Sequence, residues 1–411
     1  MRAVVVGGGL AGLAAALELA DAGHEVTLVE ARPTLGGAVQ TLPSREGDPE
    51  PPPDNGQHIA LGCFSAYLRF LDRIGSLGGV RRLPLRLPVI DERGRVATIG
   101  YGLVPLLRYR HVSLRDRLRI LALLARLSRL SPGSGTFGEF LRAHGQSQAA
   151  IDRFWDVFVR PALNLRTDEV AAADAVFTVL TALRSGREAS EIVLPAAPLG
   201  ELHGQAAQRA LEAAGATLRT GERVAELEGL DGDVVVVAVP PAESALLLEE
   251  PDPGLEHSPI VSVHLLFDRP ILRHELAALL GSDAHWVFDR GALTGHRPER
   301  GQYLTVVSSG APELMELRGR ELVSLLAGQL VERLGHAELL WSRVSREPEA
   351  TIALRPGIER PPAGRVSDRV VRAGAWTRSA RGWPPTMENA VATGVQAAAA
   401  LLSDVATKVP A

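Results

Sequence analysis

The first thirty residues show the clearest pattern of hydrophobic and polar positions in the chain. A valine-rich run at Arg2–Val6 predicts a short buried strand, and an apolar helix over 11–22 follows a glycine-rich turn. Gly23 suits the C-terminal end of that helix, and Glu25–Glu30 predicts a second strand. A strand, a crossover helix and a parallel strand together predict a right-handed βαβ unit at the start of a doubly wound sheet.

Hydrophobic periods predict further elements along the rest of the chain. The helical period predicts helices at 64–74, 113–130, 136–144, 151–159, 168–184, 199–214, 318–334 and 386–402. Strand-like patterns lie at 80–99, 216–218, 223–227, 233–239, 260–267, 302–308 and 370–373. Thr136 and Glu139 have the spacing of a helix capping box, and the proline- and acid-rich stretch 43–54 predicts an exposed loop.

Antiparallel strand patterns occupy the middle of the chain, whereas nucleotide-fold patterns recur nearer its ends. We therefore predict an α/β protein with two domains, which a length of 411 residues allows. The first is a Rossmann-type nucleotide-binding domain assembled from residues 1–75, 196–250 and 356–411. The second is an α+β substrate domain of antiparallel sheet and helices, assembled from 76–195 and 251–355.

Composition and charge exclude several classes of function. The formal net charge of −4 argues against a nucleic-acid binder held by bulk electrostatics, and 4% aromatic residues argue against a stacking platform for single strands. The single cysteine, Cys63, excludes disulfide scaffolds and cysteine-rich metal sites and suits a reducing, cytoplasmic compartment. The sequence contains no run of about 18 uncharged apolar residues, so it predicts no transmembrane helix.

Lysine is nearly absent from the chain, because Lys408 is the only one. The other cationic side chains are arginine, which stays charged and does not serve as a nucleophile. Mechanisms that need a buried lysine, such as a Schiff base, a phosphate-loop lysine or a lysine general base, are therefore excluded.

The glycine-rich turn after the first strand matches the dinucleotide-binding pattern G-x-G-x-x-G. Gly7 permits the tight turn, Gly9 lets the backbone approach a pyrophosphate, and Gly12 lets the helix pack closely on the strand. Free amides at the helix N-terminus then stabilise the phosphate charge. Glu30 ends the second strand about twenty residues later, where a carboxylate can accept hydrogen bonds from ribose hydroxyls. The order of these features predicts a bound dinucleotide, and the alternative is a glycine turn that only packs.

Two further features favour FAD over NAD. Arg32 and the pair Gly36-Gly37 follow the second strand and offer another close approach of backbone near the diphosphate. Near the C-terminus, a strand leads into the segment 373–376, and the segment 382–390 runs into a helix. Backbone amides and a helix N-terminus that return to the first domain would lie against the far end of a long cofactor.

These motifs resemble those of the flavin amine oxidase and phytoene desaturase superfamily. The segment 54–58, followed by 61–63 and Tyr67, narrows the resemblance, as does the C-terminal stretch Trp-Pro-x-Thr-Met-Glu. Together they are similar to the squalene-associated FAD-dependent desaturases, also called hydroxysqualene dehydroxylases, of bacterial hopanoid synthesis. The resemblance spans nearly the whole chain, with its specific motifs at the two ends. It implies reductive removal of the hydroxyl group of hydroxysqualene by reduced FAD, which gives squalene and water.

The resemblance also implies which residues contact the cofactor, and they fall in the segments already described and in the 223–227 region. The implied FAD contacts are Gly7, Gly9, Leu10, Ala11, Gly12, Glu30, Ala31, Arg32, Gly36, Gly37, Gln57, His58, Val224, Gly374, Trp383, Thr386 and Met387. No bound metal is predicted. A long-chain isoprenoid is the implied substrate.

The chain departs from the family pattern in the C-terminal block and in its lysine content. Ala375 stands where the family usually has an acidic residue that hydrogen-bonds the cofactor, and losing such a bond costs about 0.5–3 kcal/mol of cofactor binding. The stretch 378–381 looks longer than usual, and its two arginines can compensate by contacting phosphate. Amine oxidases of the superfamily generally hold a lysine near the flavin, so the near absence of lysine disfavours amine oxidation.

Reductive dehydroxylation needs a hydride donor, a proton for the leaving hydroxyl and the exclusion of water. His58 is the first candidate for the proton donor, because its segment is expected beside the flavin ring and histidine titrates near neutral pH. The alternative is a structural histidine or one that hydrogen-bonds the flavin, while Asn55 and Gln57 suit holding the loop or the ring. His264 and His285 face either the substrate cavity or a core, and satisfied core histidines are the commoner case.

Two segments of the middle region have both a functional and a structural interpretation. Residues 114–130 have leucines at helical spacing together with five arginines, which is typical of a helix in a bilayer interface. The equal alternative to peripheral contact with the inner face of a membrane is a surface helix that packs inward. Residues 160–164 resemble the substrate-domain stretch of the superfamily, and their proline explains them equally well as the end of a helix.

Two other functions stay open on the sequence. A carotenoid-type desaturase would use the same site in the oxidative direction on a polyprenoid. A non-catalytic flavin-binding partner of a prenyl synthase would retain FAD without turnover, and Ala375 is the main support for that alternative.

Overall fold

The structure is a computed structural model that describes residues 1–408. Its strands, in chain order, are β1 Arg2–Val6, β2 Glu25–Glu30, β3 Ala60–Leu61, β4 Val80–Leu83, β5 Arg86–Ile90, β6 Val96–Gly100, β7 Ile192–Pro195, β8 Thr217–Thr220, β9 Val234–Val237, β10 His257–Phe267, β11 Leu276–Leu279, β12 Trp286–Asp289, β13 Gln302–Ser309, β14 Leu339–Ile352, β15 Gly364–Arg365 and β16 Val370–Arg372. Its α-helices are α1 Leu10–Asp21, α2 Ser65–Arg73, α3 Leu103–Arg108, α4 Leu114–Arg126, α5 Phe137–Ala143, α6 Gln148–Ala150, α7 Asp156–Leu163, α8 Ala172–Arg184, α9 Ala206–Ala213, α10 Pro241–Leu248, α11 Arg290–Thr294, α12 Gly319–Leu334 and α13 Met387–Lys408. Short 3₁₀ turns lie at Leu77–Gly79, Leu127–Arg129 and Pro312–Met315, and π-helical turns lie at Ile151–Trp155 and Glu201–Gln205.

A six-stranded sheet with the order β15-β16-β9-β1-β2-β8 contains the predicted βαβ unit. β1 pairs in parallel with β2, with Arg2 opposite Glu25, and on its other side with β9. The valines of these strands are buried because helices cover parallel strands on both faces. α13 packs against α1, and a Cβ added at Gly394 would lie 2.1 Å from the Ala11 carbonyl oxygen. This sheet confirms the predicted Rossmann-type α/β fold.

A seven-stranded sheet with the order β14-β10-β13-β12-β11-β5-β6 forms the second part of the fold. Its pairs are antiparallel except for the parallel pair of β11 and β5. One face packs on α12 through residues such as Val261 and Leu326. The opposite face is apolar at Trp286 and Phe288, where helices α4 to α8 cover it. An antiparallel sheet with helices on it confirms the predicted α+β character of this region.

A small antiparallel sheet, β3-β7-β4, joins segments that are far apart in the chain. β3 lies within residues 1–75, whereas β4 and β7 lie within 76–195. The predicted domain boundaries therefore pass through this sheet, and the division at those residues stays a prediction.

Most of the predicted helices and strands form within a few residues of the predicted ends, but the strand predicted at 223–227 is wrong. Glu222 donates its amide to the Glu30 carbonyl oxygen at 3.0 Å, so the chain crosses the end of β2 and does not continue the sheet beside β8. Val224 packs against the valines of β1 and β9 from a loop. Its hydrophobic spacing reflects that packing and not strand pairing.

The predicted capping box is present at the start of α5. Thr136 Oγ1 accepts a hydrogen bond from the Glu139 amide at 3.2 Å, and the Glu139 carboxylate accepts one from the Thr136 amide at 2.9 Å. These bonds satisfy two of the amide groups that a helix leaves free at its first turn.

None of the helices in residues 1–408 combines the length and the apolar character that crossing a bilayer requires.

The stretch 43–54 is exposed only in part, so the prediction of an exposed loop is wrong for its second half. The side chains of Asp48 and Asp54 are 4% and 2% exposed. Asp48 pairs with Arg343 on β14, and Asp54 pairs with Arg290 at the start of α11 at 2.7 Å. Burying a carboxylate is costly unless a cation or hydrogen-bond donors accompany it, and here both cations come from distant segments that the local pattern does not reveal.

We expect Asp48→Ala to lower the free energy of unfolding by about 3–5 kcal/mol, because Arg343 is then buried without its counter-ion. The measurement is equilibrium denaturation of the flavin-loaded protein. Glu46→Ala is the matched control, since Glu46 is exposed in the same loop and its loss is expected to change the free energy of unfolding by less than about 0.5 kcal/mol. Equal effects of the two variants would contradict the importance of the buried pair.

Candidate functional site

The glycine-rich turn between β1 and α1 has the geometry of a phosphate-binding loop. Gly7 has a φ of +106°, and a Cβ added at Gly12 would lie 1.9 Å from the Gly7 carbonyl oxygen. α1 begins at Leu10 with Gly9 at its N-cap, without a side-chain cap and without an acidic residue in its first turn. The first amides of α1 are therefore free to donate to an anion, which the partial positive charge of a helix N-terminus favours.

A second glycine turn lies directly against the first. The Gly36 amide donates to the Gly8 carbonyl oxygen at 2.8 Å. Gly37 has a φ of +61°, and a Cβ added there would lie 2.8 Å from Gly9 Cα. Where Gly9 and Gly37 meet, backbone faces backbone, and such glycine positions allow the close approach of a diphosphate.

Glu30 stands at the end of β2 with its carboxylate next to both turns. One of its oxygens accepts from the Gly8 amide at 2.6 Å and the other from the Arg32 amide at 2.8 Å. Each carboxylate oxygen keeps a second lone pair, so Glu30 can still accept hydrogen bonds from two ribose hydroxyls. The two glycine turns and the Glu30 carboxylate thus fit an adenine dinucleotide. Ala31 and Arg32 are exposed beside them.

The C-terminal block is held together by two side chains of α13. Asn389 Nδ2 donates to the carbonyl oxygens of Ala375 at 2.7 Å and Thr377 at 2.8 Å, and Thr393 Oγ1 accepts from the Gly374 amide at 3.1 Å. The turn at Ala375, where the family usually has an acid, is therefore fixed through its backbone. This arrangement leaves the backbone of the turn ordered without an acidic side chain.

Three other implied contacts lie at the start of α13. Thr386 Oγ1 accepts from the Asn389 amide at 3.3 Å, and Met387 begins the helix. The ring of Trp383 meets Phe64 and Phe177 edge to face at centroid distances of 5.5 and 5.3 Å. Trp383 is buried in the core of the nucleotide-binding fold, so its ring has a packing role.

Glu388, part of the C-terminal motif, has a structural role that the sequence does not reveal. Its carboxylate accepts from the amides of Ala66 at 3.1 Å and Tyr67 at 2.9 Å, which lie in the first turn of α2. The side chain therefore caps α2 from the other end of the chain and neutralises the helix N-terminus. Burial raises the pKa of Glu388, and these two amides partly oppose that shift.

His58 follows the segment 54–57 and is half-buried. Its ring has no hydrogen-bond partner among the residues that the structure describes. Burial lowers the pKa of His58, and the nearby carboxylate of Asp54 only partly opposes the shift. The imidazole is thus neutral near pH 7, which suits a hydrogen bond to a cofactor better than proton donation.

His264 is a structural residue, which settles the alternative left open by the sequence. It is fully buried on β10, where Nε2 donates to the Asp54 carbonyl oxygen at 2.9 Å and Nδ1 accepts from Thr305 Oγ1 at 3.0 Å. Burial lowers the pKa of His264 to about 3, and Arg290 contributes to the shift. Both ring nitrogens are satisfied inside the protein, so none is left for a substrate.

His285 lies in a cavity of ≈ 460 Å³ between α7 and the turn that joins β11 to β12. Its Nδ1 accepts from the Ser309 amide at 3.0 Å, and Arg160 donates to the carbonyl oxygens of Ser309 and Gly310. Asn164 at the end of α7 accepts from the Gly310 amide at 2.6 Å. The stretch 160–164 therefore fastens the helix to the end of β13, and none of the glycine-turn residues lines this cavity.

Sequence reasoning missed a polar cluster on the second sheet beside the 54–58 segment. Ser262 on β10 is 1% exposed, its Oγ has no partner, and it lies 3.0 Å from the position of a Cβ at Gly56. Glu347 on β14 interacts with the side chains of Asn55 and Ser345. Burial raises the pKa of Glu347 despite those interactions and the nearby charge of Arg32.

The signal for this cluster is a period of two along β14. Arg343, Ser345 and Glu347 alternate along the strand, and they pair across β10 with His264, Ser262 and Ile260 respectively. That alternation places them on one face. It becomes meaningful only once β14 is known to be a strand.

Comparison with known proteins assigns this arrangement to a family. The sequence profile of the flavin containing amine oxidoreductases matches residues 10–402. A hydroxysqualene dehydroxylase of Sinorhizobium fredii is 27% identical over 434 residues, which cover 98% of this chain and 99% of that protein. A probable zeta-carotene desaturase of Synechococcus elongatus is 24% identical over 491 residues, which cover 98% of each chain. An oxidoreductase from Methanosarcina mazei has the same fold, with a TM-score of 0.74, 19% identity and coverage of 96% of this chain and 99% of its own.

We expect Gly37→Ala to lose most of its bound flavin, because the added methyl group would collide with Gly9 Cα and occupy a left-handed backbone conformation. Gly23→Ala is the matched control, since Gly23 has a φ of +79° and open space around it. The two variants share the backbone strain, so only the collision distinguishes them. The ratio of visible flavin absorbance to protein absorbance measures the difference. Full flavin content in Gly37→Ala would contradict the assignment of the two glycine turns as the diphosphate site.

We expect the protein to lose stability as the pH falls below about 6.5, because two buried histidines stay neutral in the fold. Burial lowers the pKa of His203 to about 4 and that of His264 to about 3. The unfolded chain takes up protons at these histidines below about pH 6.5 while the folded chain does not, so each contributes about 2 kcal/mol of lost stability at about pH 5. Denaturation curves across this range measure the loss.

A glutamine at position 203 separates this effect from general acid denaturation. His203 donates from Nδ1 to the Leu199 carbonyl oxygen and accepts at Nε2 from the Tyr67 hydroxyl, and a glutamine amide can make both bonds. His203→Gln is therefore expected to remove about 2 kcal/mol of the loss in unfolding free energy at about pH 5. An unchanged slope would mean that His203 is not the group that titrates.

Proposed function

This chain belongs to the flavin-containing amine oxidoreductase family, and we propose that it removes the hydroxyl group of hydroxysqualene reductively. Membership of the family makes it a flavin oxidoreductase, with FAD as its cofactor. The reaction is supported by the full-length similarity to a hydroxysqualene dehydroxylase. The second support is chemical, since no lysine occurs before Lys408 to serve as the amine-oxidase residue.

The observation that carries the proposal is the polar cluster of Ser262, Ser345 and Glu347 opposite the 54–58 segment. Loss of a hydroxide from carbon is slow unless the oxygen is protonated, so the site needs an acid. Burial raises the pKa of Glu347, which keeps a larger fraction of its carboxyl protonated than at an exposed glutamate. We assign Glu347 as the proton donor and keep His58 as a candidate flavin contact.

The proposed reaction balances with one reduced flavin per turnover. When bound at the two glycine turns and Glu30, reduced FAD would supply the hydride for the new carbon–hydrogen bond. Glu347 would give its proton to the hydroxyl oxygen of hydroxysqualene, so that the carbon–oxygen bond breaks and the oxygen leaves as water. An external two-electron reductant must restore the reduced cofactor, and the Glu347 carboxylate takes a proton back from solvent.

The chain's own residues also keep water from the reacting carbon. The inner face of the second sheet is apolar at Trp286 and Phe288 and merges with the buried cluster formed by helices α4 to α8. A polyprenoid tail is stabilised by such a surface, whereas its polar end suits the hydroxyl and carboxyl groups of β10 and β14. Exclusion of water protects an allylic cation from capture.

The second candidate function is desaturation of a carotenoid-type polyprenoid, which the similarity to a probable zeta-carotene desaturase favours. It uses the same cofactor in the opposite direction and removes two hydrogens from the substrate. It also needs no proton donor for a leaving hydroxyl. Glu347 is therefore needed as a proton donor in dehydroxylation but not in desaturation.

Product analysis under both redox conditions tests the proposal. Protein with its flavin reduced by dithionite is incubated without oxygen with hydroxysqualene, and oxidised protein with a quinone acceptor is incubated with zeta-carotene. We expect squalene in the first incubation and no product in the second. The reverse result would assign the desaturase, and flavin retention without product in either would favour the non-catalytic partner of a prenyl synthase.

We expect Glu347→Gln to lower the rate of dehydroxylation by about 10²-fold or more while flavin content stays unchanged, because the amide cannot supply the proton. In the wild type, the rate should fall as the pH rises above the raised pKa of Glu347, and this decline should be missing in the variant. Glu349→Gln is the matched control, since Glu349 is exposed on the same strand.

Two results would contradict this assignment. A Glu347→Gln variant with full turnover would remove Glu347 from the chemistry. A His58→Ala variant that keeps its flavin but loses both turnover and the decline of the rate at higher pH would assign the proton donor to His58 instead. Loss of flavin in this variant would make His58 a cofactor contact.

A further inference from the structure

The surface formed by α3 and the start of α4 exposes more large apolar side chains than any other segment of the described chain. Six residues within eighteen positions are between 40% and 65% exposed. They are Tyr101, Leu103, Val104, Leu107, Leu114 and Leu118. We call these six residues the α3–α4 face. Soluble surfaces seldom expose contiguous apolar groups of this size without a partner.

The apolar side chains of this face are held outward by ordinary packing of the two helices. Ser113 caps α4 by accepting from the Asp116 amide at 3.1 Å, and Ile120 and Leu123 bury the inner side of the helix. Leu114 and Leu118 are four residues apart and so share the outer side. In α3 only Leu106 points inward.

Charge around the face is strongly positive in a protein that is negative overall. Residues 101–130 contain seven arginines and one acidic residue, whereas the whole chain has a formal net charge of −4. The acidic residue, Asp116, is buried and accepts from the hydroxyl groups of Ser113 and Ser147. Within residues 1–408, none of the seven arginines forms an ion pair. They are Arg108, Arg110, Arg115, Arg117, Arg119, Arg126 and Arg129.

We propose that the α3–α4 face is a docking surface for an anionic lipid bilayer, with its six apolar side chains inserted below the headgroups and the arginines on the lipid phosphates. An apolar helix surface bordered by arginine is what interfacial binding requires, because apolar burial and attraction to anionic lipid add. The face overlies the helices that cover the apolar half of the second sheet. The exposed apolar side chains and the positive charge support this docking surface whichever substrate the site converts.

The positive charge also argues against the other natural occupant, a second copy of this chain. Two-fold association through the face would bring together two copies of a segment with seven arginines each, whose one acidic residue, Asp116, is buried. Like charges at an interface are repulsive unless counter-charges accompany them. A bilayer surface of anionic lipid supplies those counter-charges.

Exposure in the structure also limits which part of the 114–130 segment can contact lipid. Leu121 is half-buried against the core of the second region, and Leu127 is fully buried. Replacing either would perturb packing and not only a surface. The contact extends instead to the preceding helix, which the sequence pattern does not include.

Flotation with liposomes tests the proposal on the flavin-loaded protein. We expect the wild type to float with vesicles of phosphatidylcholine and phosphatidylglycerol in equal parts, and only weakly with phosphatidylcholine alone. Leu103→Gln combined with Leu118→Gln is expected to weaken binding by about tenfold or more, since both side chains insert. Leu246→Gln is the matched control, because Leu246 is 77% exposed but lies on α10, away from the face.

The charge contribution is tested separately by Arg110→Gln with Arg115→Gln, which should weaken binding to the anionic vesicles and reduce its dependence on salt. Unchanged flavin content and circular dichroism establish that every variant is folded. Wild-type protein that stays with the unbound fraction, or equal loss in the Leu246 control, would overturn the proposal. A dimer that the paired leucine variant dissociates, without any vesicle binding, would assign the face to a second copy.

Discussion

The buried carboxylate of Asp54 is the group on which the geometry of the site depends. It accepts hydrogen bonds from Arg290 at 2.7 Å and from the Leu199 amide at 2.9 Å, while its own carbonyl oxygen accepts from His264 on β10. These partners come from distant parts of the chain, so a single residue ties the glycine-turn half of the fold to the second sheet. Because a buried carboxylate without its cation is strongly destabilising, the residues that follow, 55–58, have one well-defined position.

The nucleotide-binding half of the site follows closely from the sequence because its determinants are local. The valine run of β1, the glycines of the turn and Glu30 all lie within one βαβ unit, and spacing alone specifies their geometry. The close contact of Gly37 with Gly9 has the same character, since a Cβ added at Gly37 would lie 2.8 Å from Gly9 Cα. Local pattern and final structure agree where the interacting groups are near in sequence.

The other half of the site was not predictable from local pattern because its contacts are long-range. Asp54 and Arg290 are 236 residues apart, and nothing near either of them indicates that the charge is buried. Strand β14 lies at the edge of the sheet, and many of its residues are polar and only partly buried. Its segment therefore has a weak hydrophobic pattern, and the sequence does not identify Glu347 as a site residue. Glu388 shows the same limit, since a motif residue at the C-terminus caps a helix near the N-terminus.

The contact between the two ends of the chain has a consequence for biosynthesis. β16 completes the nucleotide-binding sheet beside β9, and α13 covers the alanine-rich surface of α1. A ribosome releases the first βαβ unit long before these last elements, so the newly made N-terminal half exposes apolar surface. The set of predicted cofactor contacts is therefore complete only after the last helix has been made. A chain that ends before α13 is therefore expected to misfold and to be bound by chaperones or degraded by proteases.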